Sequence, residues 1–289
     1  TEQNMKKIIL IILISVFTSC NSDEDVINPN EIINEVSISK ITINGSDNFK
    51  EVFELNSKNQ IISKTINNSI NDVIIYNFEY DNSGKLIKQT RVPSEIHGNE
   101  YFFNTEYDNN GLLKKHKSGT GFGYSISVDN SDINNPIIQR RGEKSQWEFN
   151  SFDEPLNDEW NEYTFREKKL IIEKSGSRIV KTVDYNNIKN PIAIMQQNTY
   201  GKRNLLFYFF DPIYPFRDKI LDISSNLFSN STEKFTSFEN DGITIRERFI
   251  KMDVEIIKQE QNYATHFIVN TKDEVFDREF TTEYIIEMK

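Results

Sequence analysis

Tyr80–Asp81–Asn82–Ser83–Gly84–Lys85–Leu86 and Tyr107–Asp108–Asn109–Asn110–Gly111–Leu112–Leu113 are two near copies of one short pattern, and their reading decides the fold. In each, the aspartate after the aromatic residue can accept hydrogen bonds from nearby backbone N–H groups and so start a type I turn. The glycine then supplies the left-handed conformation that closes a hairpin with a bulge. The two tyrosines are 27 residues apart, a spacing that holds two strands of roughly nine residues plus two turns. One repeat is therefore one up-and-down hairpin.

Outward from this pair the same pattern continues more loosely. Phe53 to Ile61 precedes it; Val128–Asp129–Asn130, Phe152 to Leu156, and Tyr185–Asn186–Asn187 with Asn190–Pro191–Ile192 follow. Phe238 to Ile243 and Val269 to Val275 are later echoes. Between the turns the dominant period is two: Ile74, Tyr76, Phe78 and Tyr80 share one face, and Tyr124, Ile126 and Val128 alternate with serines. Trp147 and Phe149, Tyr163 and Phe165, Val180 and Thr182, Phe276, Arg278 and Phe280, and Tyr284, Ile286 and Met288 behave alike. Alternation with aromatic and β-branched enrichment marks strands with one buried face. Each hairpin can bury that face only by joining its neighbours.

One segment departs from the period. Between Asp211 and Ser229, the apolar residues Phe216, Ile220, Ile223 and Leu227 recur at helical spacing, with Pro212 or Pro215 suited to a first turn. This predicts a short helix near 212–225 covering part of the sheet, after a fully apolar strand candidate at Leu205 to Phe210.

The amino-terminal stretch carries a different message. Met5–Lys6–Lys7, an apolar run from Ile8 to Val16, and Phe17–Thr18–Ser19–Cys20 form a basic start, a short greasy core and small residues before a cut site. That is the build of a secretory signal; the run is too short to span a bilayer, which needs about 20 apolar residues. Phe17–Thr18–Ser19–Cys20 resembles a bacterial lipobox, with Phe17 where leucine is usual. The resemblance implies cleavage before Cys20 and a covalent lipid on its thiol, with no other cofactor. The true start is then Met5, residues 1–19 are the signal, 20–35 a lipidated flexible tether, and 36–289 a single β-hairpin-repeat domain. Ser22, Asp23, Glu24 and Asp25 resemble the tag that exports Bacteroidetes-type lipoproteins to the cell surface; a solvated polar tether explains them too. The expected place is the outer membrane, lipid-anchored and facing the cell surface, with the periplasmic face as the alternative.

Composition narrows the partners. The net charge is −10, and removing Glu2, Lys6 and Lys7 with the signal makes it −11. An acidic chain lacks the basic stripe that nucleic acid requires and gains nothing electrostatically from an anionic membrane. Cys20 is the single cysteine, so no disulfide supports the fold.

The Tyr80 and Tyr107 motifs resemble the YD repeat: Tyr-Asp, turn residues, Gly, a basic or polar residue and Leu. The first fits throughout; the second has Leu112 where a basic residue is usual. Behind a lipoprotein signal, and with the helical segment at Pro215–Phe216, they look like a Bacteroidetes family of YD-repeat-like lipoproteins without assigned function. Membership implies a porin-like, curled β-sheet. The fold expected is all-β: a long antiparallel meander of YD-like hairpins curled into an open or closed water-soluble barrel or half-barrel, with aromatic residues on its concave side. Lys85, Lys88, Lys114, Lys115 and Lys181 in strand segments argue against a lipid-facing membrane barrel.

Chemical candidates are sparse. His97, His116 and His266 are the only histidines; none has metal-ligand spacing or a nucleophile beside it. Gly119 to Gly123 lacks the Lys-Ser/Thr and helix that a phosphate loop needs. The turns at Asp81, Asp108 and Asn240–Asp241–Gly242 lack the closing glutamate of a calcium loop. Trp147 and Trp160 could stack on sugars, and Asp153, Glu154, Asp158 and Glu159 form a carboxylate cluster beside Trp160. A surface lipoprotein with a non-catalytic binding or structural β domain is expected, its partner a glycan or a neighbouring envelope protein. The alternatives are carriage of a lipid in a half-open barrel, which needs a roomy apolar interior, and a hydrolase with dispersed carboxylates.

Overall fold

A computed structural model describes residues 36–46, 48–67, 73–93, 100–119, 125–140, 143–146, 148–149, 155–157, 162–166, 169–174, 177–201, 226–238 and 245–289. They form nineteen strands and one helix. The strands are β1 (Ile38–Asn44), β2 (Lys50–Leu55), β3 (Ile61–Asn67), β4 (Val73–Tyr80), β5 (Leu86–Arg91), β6 (Tyr101–Tyr107) and β7 (Leu113–Ser118). Next come β8 (Ser125–Asp129), β9 (Ile137–Arg140), β10 (Glu143–Gln146), β11 (Glu148–Phe149), β12 (Pro155–Asn157), β13 (Glu162–Arg166) and β14 (Lys169–Lys174). The last are β15 (Ser177–Lys189), β16 (Asn226–Phe238), β17 (Ile245–Glu260), β18 (Tyr263–Asp273) and β19 (Arg278–Met288); the helix, α1, is Pro191–Tyr200.

From β1 to β10, and again from β11 to β19, each strand pairs antiparallel with the next along the chain. β19 then pairs with β1, Ile41 opposite Ile286, so the meander returns to its start. This is the pairing by which an up-and-down barrel removes its edges. The expected all-β meander is what the chain builds.

The hairpin turns carry out the expected chemistry. Asp81 Oδ1 accepts from the backbone N–H of Ser83 and of Lys85, both at 2.9 Å, and from Ser83 Oγ at 2.7 Å. Asp108 Oδ1 accepts from Asn110 and Leu112 N–H at 2.9 Å. Gly84 and Gly111 take φ of 85° and 79°, and each donates its N–H to the aspartate carbonyl that opens the turn. The looser copy at 55–61 is the same turn in other residues. Asn56 Oδ1 accepts from Lys58 and Gln60 N–H, and Asn59 stands at φ 57° where the others have glycine.

Just past each turn the register slips by one residue: between Glu54 and Leu55 against Ile61, Glu79 and Tyr80 against Leu86, and Glu106 and Tyr107 against Leu113. The unpaired residues are Ile62, Ile87 and Lys114, all of them exposed. A bulge of this kind inserts one residue and reverses the side-chain alternation beyond it. Counted from Ile61, strict alternation would put Lys64 in solvent; the bulge at Ile62 turns it inward.

The residues that alternate with solvent converge on one core. Ile38, Ile41, Phe53, Ile61, Leu86, Ile126, Ile138 and Phe267 are almost wholly buried, with Met195 of α1 among them. Outside, Lys88 meets Glu79 at 3.4 Å, Lys40 meets Glu287 at 2.8 Å, and Lys272 meets Glu279 at 3.0 Å. Lys117, Glu255 and Glu287 occupy further exposed positions along the strands. These charges occupy rows that a lipid-facing belt would fill with apolar side chains. No helix among the described residues is long and apolar enough to cross a membrane.

Two expectations need correction. Tyr185–Asn186–Asn187 with Asn190–Pro191–Ile192 is no hairpin turn: the first three lie within β15, and Asn190 caps α1, its side chain accepting from Ile192 N–H at 3.1 Å, with Pro191 in the first turn. Gly201, at φ 76°, ends the helix and donates to Gln197 O. The echo at Val269 to Val275 is strand as far as Asp273, its turn falling at 274–277, so Phe276 belongs to the turn and not to the strand. The helix expected near 212–225 and the strand at 205–210 lie outside the described residues.

α1 spans part of the concave side like a chord. Its leading residue Lys189 sits opposite Tyr263 at the start of β18 and donates to Asn262 O at 2.8 Å. Near its end, Thr199 Oγ1 accepts from Ile61 N–H at 3.0 Å, and Asn198 O accepts from Gln60 Nε2 at 3.0 Å. β18 to β3 is four strand steps, roughly 19 Å along the sheet, while ten helical residues reach about 15 Å. A chord shorter than its arc is what a curled sheet provides.

The 55–61 turn joins these parts. Asn59, 2% exposed, donates through Nδ2 to Val36 O and accepts at Oδ1 from Ile38 N–H, both at 2.7 Å. Gln60 Nε2 also donates to Gly84 O at 2.6 Å, and Tyr80 Oη donates to Ile61 O at 2.6 Å. Asn59→Gly should therefore destabilise the protein by about 2–4 kcal/mol in urea unfolding, because two buried backbone groups lose their partners. Gly84→Asn, which keeps a residue tolerant of positive φ where only the backbone is used, should cost less than half as much.

Candidate functional site

The inward rows of the first hairpins bring together side chains that the chain keeps far apart. Cross-strand pairing links Phe53 to Lys64, Lys64 to Tyr76, Tyr76 to Arg91 and Arg91 to Tyr101, one row across β2 to β6. Aromatic and cation alternate along it. Lys64 Nζ lies 5.2 Å from the Phe53 ring centre, and the Arg91 guanidinium 5.6 Å from that of Tyr101, within cation–π range. Tyr101 meets Phe103 edge-on at 4.8 Å, and Phe103 stacks on His116 at 4.8 Å with 16° between planes.

The row grades from buried to accessible. Phe53 and Lys64 are fully enclosed, whereas Tyr76, Arg91, Tyr101 and Phe103 are half-buried. Lys64 Nζ is 2.7 Å from Glu51 Oε1, both side chains 1% exposed. Across the concave side, Arg248 donates to the buried Asp273 through Nε at 2.7 Å and through its terminal nitrogen. That hydrogen bond foremost holds the Asp273 carboxyl below the usual carboxylate range.

His116 is 1% exposed on the inward row of β7. Its Nδ1 lies 2.9 Å from Thr105 Oγ1. Burial pushes its pKa down to about 3, so it is neutral at physiological pH. His266 faces outward, 2.9 Å from Glu283 Oε1, and Asn44 holds the other carboxylate oxygen at 2.8 Å. The two histidines thus serve different faces. Burial raises Tyr80 and Tyr107 above the ordinary tyrosine value, and the Asp81 carboxylate adds to the effect on Tyr107.

The carboxylates of Asp81 and Asp108 are engaged by their own turns, and Asn130 Nδ2 donates to Asp108 Oδ2 at 3.0 Å. Among the described residues, no group of three or more His, Cys, Asp or Glu could hold a metal ion. Cys20, Ser22, Asp23, Glu24, Asp25, His97, Trp147, Asp153, Glu154, Asp158, Glu159, Trp160, residues 120–123 and Asn240 to Gly242 lie outside the described residues. Sequence reasoning missed Glu51, Lys64 and Arg91; counting one bulge after each of the turns opened by Asn56, Asp81 and Asp108 would have found the last two.

No protein-family model matches the sequence, and no curated protein does. The YD-repeat reading therefore rests on the two turns. Among solved structures, a porin-like protein from Bacteroides uniformis ATCC 8492 is similar, with 11% identity, 87% of this chain and 96% of that chain covered, and a TM-score of 0.34. A porin-like protein from Bacteroides vulgatus ATCC 8482 is similar at 11% identity, with coverages of 88% and 99% and a TM-score of 0.29. Superpositions this loose leave the site to be argued from the residues themselves.

Two outcomes follow from the buried charges. Lys64→Met alone should cost about 3–5 kcal/mol by urea unfolding, since it strands the Glu51 carboxylate, while the double variant Glu51→Leu with Lys64→Met should recover most of it. For His116, the unfolded chain binds a proton below pH 6.5 that the folded chain refuses until about pH 3. Stability is full above 6.5 and falls as the pH drops through that window, by up to about 1.4 kcal/mol per pH unit from this group. His116→Gln should remove that part of the slope, read as unfolding midpoints from pH 7 to 4.

Proposed function

We propose that this protein is a lipid-anchored lipoprotein of the bacterial outer membrane that displays its curled sheet outward as a non-catalytic binding module. The observation that carries the reading is the split between the two faces of the sheet. The outer face spends its charges on cross-strand pairs at the surface, whereas the concave face holds half-buried Tyr76, Arg91, Tyr101 and Phe103. Aromatic rings with polar tips, half open to water, favour a ligand that is part apolar and part polar. A glycan fits that description, and a loop of a neighbouring envelope protein is the second partner class.

Lipid carriage has less support. The apolar side chains near α1, Ile41, Phe53, Ile61 and Met195, are already buried by the chain itself. The hydrolase reading has no pair of converging acids among the described residues to support it: buried Glu51 and Asp273 each face a cation.

The anchor rests on the Met5 to Cys20 signal, and outward display on Ser22 to Asp25. Cys20→Ala should abolish incorporation of labelled palmitate and release the protein from the membrane fraction. Replacing Ser22 to Asp25 by alanines should leave the lipid in place and protect the protein from protease applied to intact cells. A glycan array and a capture experiment with envelope proteins, both blank, would remove the binding reading.

A further inference from the structure

Resting on the anchored part of that reading for its orientation alone, we propose that the turn between β18 and β19 docks an acidic, apolar segment of a partner protein. Arg278 holds a carboxylate of that segment, and Val275 and Phe276 meet the apolar side chains beside it. Val275 and Phe276 are 51% and 57% exposed, the highest values among the large apolar side chains of the described residues. Phe249 is exposed next to them, its carbonyl accepting from Glu274 N–H at 3.0 Å. Apolar side chains exposed singly are ordinary, whereas a cluster at one turn marks an interaction surface.

The chemistry of the partner follows from the two guanidinium groups at the Phe276 ring. Arg248 lies 5.0 Å from the ring centre and Arg278 5.7 Å, both within cation–π range. Arg248 is complete: with its guanidinium against the ring, it donates through Nε to Asp273 at 2.7 Å. Arg278 repeats the ring contact with an exposed side chain, and among the described residues it meets no carboxylate. A guanidinium held against an aromatic ring keeps its in-plane N–H fork for a carboxylate. Arg278 is thus half of the arrangement that Arg248 shows in full, and the missing half is a carboxylate brought from outside.

Position and charge favour a protein over a lipid surface. The eleven residues of β19, about 36 Å long, separate this turn from Lys289, whose N–H bonds Ser37 O. On the anchored reading the lipid attachment precedes Val36, so the turn stands at the opposite end of the strand from the chain's entry into the sheet. The neighbouring cations are matched: Arg248 by Asp273, Lys251 by Glu274 at 2.8 Å, and Lys272 by Glu279 at 3.0 Å. With its charges balanced in this way, the turn offers no basic patch to anionic headgroups. One guanidinium beside two apolar side chains suits an acidic residue within an apolar run of polypeptide.

The test is fluorescence anisotropy of the protein with an end-blocked, labelled hexapeptide alternating leucine and aspartate, and with its counterpart carrying asparagine for aspartate. The aspartate peptide should bind about tenfold more tightly, as one charge-assisted pair implies. Arg278→Gln should erase that preference while leaving the asparagine peptide's affinity unchanged, and Arg278→Lys should restore part of it. Val275→Ser and Phe276→Ser should weaken both peptides by similar factors. Lys58→Gln, an exposed cation in the 55–61 turn, should change neither. All five side chains are exposed, and an unaltered unfolding midpoint verifies that each variant is folded. Equal affinity for the two peptides, or a preference that survives Arg278→Gln, overturns the acidic class. A blank with both peptides overturns the docking surface. Flotation with vesicles of phosphatidylethanolamine and phosphatidylglycerol that Phe276→Ser abolishes assigns the turn to lipid, and a dimer in sedimentation that Phe276→Ser disperses assigns it to a second copy; either result overturns the partner named here. The glycan array concerns the concave face, so a blank there leaves this inference standing, and Cys20→Ala tests the anchor separately.

Discussion

Asn59 holds the start of β1 to the turn between β2 and β3. Its amide bonds Val36 O and Ile38 N–H from a position at φ 57° that most residues avoid. The neighbouring Gln60 and Ile61 receive α1, and Tyr80 and Gly84 of the next turn bond to the same two residues. One seven-residue segment thus bonds backbone groups at the start of β1, in α1 and in the β4–β5 turn. Buried backbone polar groups must find partners. Here the partners come from a turn, and the fold closes around it.

The bulges that accompany these turns settle what the concave face contains. After each of the turns at 55–61, 80–86 and 107–113 one residue drops out of register, and the next inward positions become Lys64 and Ile66, Gln89 and Arg91, His116 and Ser118. Polar side chains enter the interior as a set, by a shift of backbone register. Their burial is made tolerable by local partners: Glu51 for Lys64, Thr105 for His116, and the Tyr101 face for Arg91. The same shift sets Ile62 and Ile87 out in water.

Polarity on both faces, distributed in opposite ways, connects the fold to its proposed work. Exposed ion pairs such as Lys40–Glu287 contribute little to stability, roughly 0–1 kcal/mol each, and their effect is to keep the outer face wet. Inside, α1 and the core close one part of the concave surface, while Tyr76, Arg91, Tyr101 and Phe103 remain half open. A surface that is aromatic, cationic and concave favours recognition over bulk burial.

Much of the fold was legible in the residues. Tyr80–Asp81 and Tyr107–Asp108 with their glycines specify hairpins through local hydrogen bonds, and alternation at 74–80 and 126–128 marks the buried face. The helix at 191–200 was not legible, because Asn–Pro opens a turn and a helix equally well and a helix buried on nearly all sides carries no one-sided apolar stripe. The inward row was hidden for a related reason: a single bulge reverses the parity by which strand faces are read, and its presence depends on pairing with the next strand. By itself, then, the sequence determined the hairpins, their turns and the acidic, all-β character, since these follow from interactions within a few residues. Which strand meets which, where α1 lies, and that Lys64 and Arg91 face inward among aromatic rings were decided only in the tertiary structure, because they depend on backbone partners that the chain brings together from afar.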